Sequence, residues 1–153
     1  MKPVKYYLAH PFDSRREMRE WELGFEKRTG IQIINPFYDE VREEIIVADN
    51  EYIDMSREER EKLVLSKYKE IVEKDLEKVR RSDGIIAIIN DKKSIGTLQE
   101  MVYAFLAKKP VYVMAFNSAN HPWVKYHATE IFTDLNHLEE YLKNANRRYR
   151  KKS

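Results

Sequence analysis

The chain has 153 residues, of which 42% are hydrophobic and 35% charged, with no cysteine and a formal net charge of +2. That length gives one domain with a substantial core, and without cysteine there are no disulfides and no thiolate zinc sites. Five cations sit in the closing stretch RRYRKK (Arg147, Arg148, Arg150, Lys151, Lys152), so the rest of the chain is net negative and does not read as a nucleic-acid-binding surface.

No apolar run approaches the roughly 18 residues of a membrane helix, and the one nearest the start is too short for a secretory signal. The expectation is a cytoplasmic protein with no membrane and no nucleic-acid partner. Residues 1–143 form one domain, followed by a flexible, solvated basic tail over 144–153.

Taken in chain order, strands alternate with helices. Val4–Ala9 (VKYYLA) is a first strand. The stretch DSRREMREWELGFEKRTG is a helix, with Asp13 or Ser14 as its cap and Gly30 as its stop. Ser14, Arg15 and Arg16, at its start, are either phosphate contacts, since Arg matches phosphate geometry, or an ordinary cap with a solvated first turn. Ile31–Phe37 (IQIINPF) is a second strand ended by Pro36. Residues 36–56 are an excursion, either a lid over the site or surface decoration.

Ser56 and Glu59 form a capping box for a long helix running to Ser82. Its apolar positions Tyr68, Ile71, Val72, Leu76 and Val79 make one buried stripe, and Asp75 falls within it. A carboxylate there needs a partner. It is either a structural hydrogen-bond acceptor or an acid aimed into a pocket.

Asp83–Asn90 (DGIIAIIN) is nearly continuously apolar, as expected of a central strand buried on both faces. The stretch SIGTLQEMVYA then opens a helix. Thr97 and Glu100 have capping-box spacing. The helix is apolar nearly all round, with Leu98, Met101, Val102, Phe105 and Leu106 on one face and Tyr103, Ala104 and Ala107 beside Glu100. Such a helix is covered on both sides, by the sheet and by something else such as a second subunit. Glu100 is thus either a cap or a carboxylate held anionic by the helix dipole, which suits a nucleophile. Ser94, Gly96 and Thr97 precede it as a loop able to hold an anion.

Pro110–Phe116 is another buried strand, TEIF an edge strand and LNHLEEYLKNA a closing helix. The pattern is an α/β fold with a parallel sheet of about five strands and right-handed crossovers. Ligands bind such sheets at the carboxyl ends of the strands. His10 is either a substrate contact or a satisfied loop histidine. Phe12, Phe37 and Tyr38 either stack on a base or simply pack. Asn117–Trp123 follows the fourth main strand and is placed to reach the site.

The motifs YLA-x-PF (Tyr7–Phe12), D-L-E (Asp75–Glu77), SDGIIAII (Ser82–Ile89) and S-x-G-x-x-x-E-x-x-x-A (Ser94, Gly96, Glu100, Ala104) resemble, in order and spacing, the nucleoside 2-deoxyribosyltransferase superfamily. That superfamily includes the deoxynucleoside 5′-monophosphate N-glycosidases. The resemblance covers roughly residues 4–135. It implies a flavodoxin-like sheet with helices on both faces. Glu100 would be the nucleophile at C1′ of the sugar, and Asp75 would handle the proton of the leaving base. It implies no metal or organic cofactor, and a homo-oligomer with sites near subunit interfaces. The acceptor is water or another base. The transferases usually carry aspartate where this chain has Ser94. The monophosphate hydrolases carry a phosphate-binding serine there, which tilts the expectation towards a nucleotide. A non-catalytic nucleotide sensor using the same crevice is the alternative.

Overall fold

Five parallel strands form one sheet in the order β2-β1-β3-β4-β5, in a computed structural model that describes residues 2–38, 56–92 and 94–152. The strands are β1 (Lys5–Ala9), β2 (Gln32–Ile34), β3 (Gly84–Ile89), β4 (Val111–Ala115) and β5 (Glu130–Phe132). The helices are α1 (Arg15–Thr29), α2 (Arg57–Ser66), α3 (Tyr68–Arg81), α4 (Ile95–Leu106), α5 (Pro122–His127) and α6 (Leu135–Lys152). This order is the flavodoxin-like one, and its switch point lies between β1 and β3. The proposed lid falls largely on residues 39–55, outside the described residues.

Two apolar layers sandwich the sheet. On one face Leu8, Ile86, Ile88 and Met114 meet Met18 and Phe25 of α1 and Leu138 and Leu142 of α6. On the other, Tyr7, Ala9, Ile85, Ala87 and Val113 meet Val79 of α3, Met101 and Ala104 of α4 and Val124 of α5. Alternate residues of β1 and β3 serve opposite layers, so both strands are buried on both faces, as the unbroken apolar run in β3 requires. Each fully buried aliphatic side chain contributes about 1.5–3 kcal/mol of transfer free energy.

The helix ends follow the sequence signals in part. Gly30 stops α1 in the left-handed region at φ 73°, where glycine has no Cβ penalty. Ser56 and Glu59 form the expected reciprocal capping box. The single long helix does not form: it divides at Lys67 (φ −116°) into α2 and α3. The predicted stripe is also narrower than expected. Tyr68 and Val72 are more than half exposed, while Asp75 and Val79 are buried, because only the second half of α3 packs on the strands. Residues 144–152 continue α6, with Asn146 buried and Arg147, Arg148, Arg150, Lys151 and Lys152 exposed.

Candidate active site

At the carboxyl edge of the sheet the loops after β1, β2 and β3 meet. His10 is 2% exposed, with Nε2 3.1 Å from Asn35 Oδ1 and Nδ1 3.0 Å from the Pro11 carbonyl. Asn35 Oδ1 also accepts the Phe37 N–H at 3.1 Å, and its Nδ2 donates to Glu22 Oε1 at 3.2 Å. The Phe37 ring meets His10 edge-on at 4.7 Å and Phe12 at 5.5 Å. Arg15 lies over the Phe12 ring at 4.0 Å and donates to the Phe12 carbonyl at 3.0 Å. Tyr38 donates to the Arg15 carbonyl at 3.4 Å. His10, Phe12, Arg15, Phe37 and Tyr38 are therefore brought together, although they are far apart in sequence.

Arg15 is not part of a solvated first turn. It is 6% exposed, and burial, with the like charge of Arg16 next in weight, pulls its guanidinium pKa below the ordinary value. Arg16 is exposed. Ser14 precedes α1 without capping it through its side chain; its Oγ instead accepts from Asn90 Nδ2 at 3.0 Å. That bond crosses the β1/β3 switch point and ties the start of α1 to the end of β3. Asn90 Oδ1 in turn accepts the Lys92 N–H at 2.9 Å, shaping the loop that leads to Ser94.

Helix α4 starts earlier than the Thr97–Glu100 spacing implied. Its cap is Ser94, whose Oγ accepts the Thr97 N–H at 3.2 Å and lies 2.8 Å from Thr97 Oγ1. Thr97 is thus inside the helix, and Glu100 lies in the second turn, outside the cap. A Cβ built on Gly96 would sit 3.5 Å from Glu100 Oε1, so the carboxylate folds back over Gly96 towards the helix start.

Asp75 and Glu100 stand on neighbouring helices, α3 and α4, that pack against each other. Val79 and Ala104, one turn further along α3 and α4, belong to the same apolar layer as Tyr7 of β1. One turn back on each helix moves towards the carboxyl edge of the sheet, which is where the two carboxyl-bearing residues stand. Asp75 is 6% exposed, and Glu100 is half-buried.

A cavity of about 630 Å³ lies on the opposite flank of α4 from Glu100, between α4 and α5. Ser94 and Thr97 line it together with Asn90, Asn117, His121 and Trp123. The Asn117–Trp123 segment thus reaches the edge of the sheet beside the Ser94 loop. Among the described residues, no three His, Asp or Glu side chains converge as metal ligands would, and no helix is long and apolar enough to cross a membrane.

No family model matches the chain, and no curated protein matches it. Among solved structures, it is similar to the CMP N-glycosidase BcmB of Clostridium botulinum. That similarity has a TM-score of 0.51 at 16% identity and covers 92% of this chain and 98% of that one. At that identity the likeness is one of fold, and it agrees with the flavodoxin-like strand order.

Three side chains of this edge were not singled out from the sequence: Glu22, Asn35 and Asn90. Glu22 had a signal. It shares a helical stripe with Met18 and Phe25, the same kind of misplaced carboxylate as Asp75, and it is fully buried. Asn35 precedes a proline, a turn signal, but its bonding to Glu22 and His10 depends on tertiary contacts.

Glu22 carries a pH prediction. Burial raises its pKa above 4.5, and the Arg19 bond (2.7 Å) and the Asn35 bond only partly offset this. The folded state therefore binds the proton more tightly than the unfolded chain. This contribution to stability is complete below the unfolded pKa and is lost as pH rises through the folded value. Urea unfolding from about pH 4 to about pH 7 should show Glu22→Gln gaining on the wild type as pH rises. Parallel profiles would contradict the assignment.

Proposed function

We propose that the chain cleaves the N-glycosidic bond of a nucleoside 5′-monophosphate or 2′-deoxynucleoside through a glycosyl-enzyme on Glu100. The observation that carries this reading is a pair of neighbouring helices that each bear a carboxyl residue one turn before a residue of the shared apolar layer, Asp75 before Val79 and Glu100 before Ala104. A CMP N-glycosidase of the same fold supports it.

In the first step the ionised Glu100 carboxylate attacks C1′ as the bond from C1′ to the base nitrogen breaks. Asp75, protonated, gives its proton to the departing base. In the second step water, or a second base, attacks C1′. Asp75 takes the acceptor's proton and Glu100 is released as carboxylate. This is the double displacement of retaining glycosidases. The burial of Asp75 suits the protonated partner. The backfolded position of Glu100 over Gly96 keeps it near the positive end of α4, which favours the anion.

Ser94, Gly96, Ser14 and Arg15 form the phosphate side of this reading. His10, Phe12, Phe37 and Tyr38 form the base and sugar side. A second copy of the chain covers the α3–α4–α5 face, where Val72, Leu98, Leu106, Trp123 and Tyr126 stand exposed.

The test is a panel of nucleosides, 2′-deoxynucleosides and their 5′-monophosphates, with free base followed by chromatography and particle mass by light scattering. Base release, faster from monophosphates and by a particle larger than one chain, is expected. Tight binding without any base release or exchange would overturn the enzymatic reading in favour of a nucleotide sensor.

A further inference from the structure

A cavity of about 810 Å³, within the range of small-molecule sites, lies at the opposite end of the sheet from Glu100. The chain leading into β1, the start of β2 and the ends of α3 and α6 enclose it.

Cations dominate its wall. Lys2, Lys5 and Arg81 line it against a single carboxylate, Asp83, whose Oδ2 is already engaged by the Lys5 backbone N–H at 2.8 Å. Arg81 shares Glu77 with Arg80, at 2.9 and 2.7 Å, so one carboxylate serves two guanidinium groups. Arg150 stands nearby: a Cβ on Gly30, two residues before the lining residue Gln32, would lie 3.3 Å from its Nη2.

Complementing helix dipoles accounts for Arg81 at the end of α3. It does not account for Lys2 and Lys5, which belong to the chain entering β1, nor for Asn146. Asn146 is 8% exposed and lines the cavity. Its side chain makes no hydrogen bond among the described residues. Its amide atoms are not among the buried polar atoms left without a partner, so they are reached by solvent and open to a ligand in the cavity. Tyr6 and Tyr149 add aromatic wall beside Pro3 and Val4. Burial raises the pKa of Tyr6, which keeps its phenol neutral beside an anion.

We propose that this cavity is a second ligand site, separate from the Glu100 edge, for a small phosphate monoester carrying an aromatic or heterocyclic group. Lys2, Lys5 and Arg81 neutralise the phosphoryl oxygens, and the Asn146 amide donates to one of them. Tyr149 and Pro3 pack against the ring. Three separated cations and an apolar wall favour an ester over free phosphate, which would leave much of the volume unfilled.

The test is a backbone-amide NMR titration of the full chain with phenyl phosphate, with phenol and inorganic phosphate as controls. Saturable shifts are expected at Gln32, Asn146 and Tyr149, absent with phenol and weaker with inorganic phosphate. The Lys2→Ala/Lys5→Ala variant changes exposed residues and should stay folded. It should weaken phenyl phosphate binding roughly tenfold or more. Asn146→Asp, which places a carboxylate against the ligand, should abolish binding in a protein with a dispersed spectrum. Shifts confined to the Glu100 edge would overturn the proposal, as would equal affinity in wild type and the double lysine variant. Inorganic phosphate binding as tightly as phenyl phosphate would overturn the ester assignment.

Discussion

Glu100→Ala should lower base release by on the order of 10³-fold or more, the loss expected when a covalent nucleophile is removed. It should leave stability within about 1 kcal/mol, because alanine is the better helix former. The structure sharpens this expectation, since the residue that caps α4 through the Thr97 N–H is Ser94 and not Thr97 of the Thr97–Glu100 spacing. Loss of activity in the variant therefore cannot be traced to a frayed helix start. Glu100→Gln makes the distinction finer. It keeps the shape and the hydrogen-bonding capacity but removes the negative charge that the proposed attack on C1′ requires, so it should be as inactive as the alanine variant. Mass spectrometry of the wild type mixed with its best substrate should show an adduct of one sugar, or sugar phosphate, on the peptide containing Glu100. Full turnover by either variant, measured as free base, would exclude the covalent mechanism.

The fold was legible in the sequence because its signals are local. Apolar runs bounded by turn residues marked β1, β3 and β4, and a run such as GIIAII has no alternative but burial on both faces. Helix starts were less legible. Ser94 and Thr97 are both good caps, and the spacing to Glu100 favoured the wrong one; the backbone bonds of the first turn decide it, and they depend on where the loop from Asn90 delivers the chain. The division at Lys67 was equally hidden, since both halves carry good helix-forming residues. For the candidate site, one argument points to both Asp75 and Glu100, a carboxylate where the periodicity calls for an apolar residue. The same argument reaches Glu22 and had not been applied to it. The burial of Arg15 was not legible, because it comes from Phe12 and from the loop after β2, neither visible in the spacing of α1.

Asn35→Ala should cost roughly 3–5 kcal/mol, a large share of the 5–15 kcal/mol that holds a domain of this size together. Asn35 is 8% exposed and serves three partners at once: the Phe37 N–H, the His10 ring and the Glu22 carboxylate. Alanine leaves all three without that partner. The penalty for a stranded polar group is larger than the worth of the bond itself, and it is largest for the fully buried Glu22, which keeps only its bond from Arg19 to offset desolvation. A double-mutant cycle separates the terms. With Glu22→Gln the stranded group is a neutral amide, so Asn35→Ala should cost less on that background, with a coupling of about 1–3 kcal/mol. The measurement is the urea midpoint at neutral pH with the slope unchanged. Because Asn35 also fixes the turn that seats Phe37 against His10 and Phe12, the same variant should raise KM for the best nucleotide more than Glu22→Gln does. A cost below about 1 kcal/mol, or strict additivity in the cycle, would mean that water replaces Asn35 and that the loop holds its shape by aromatic packing alone.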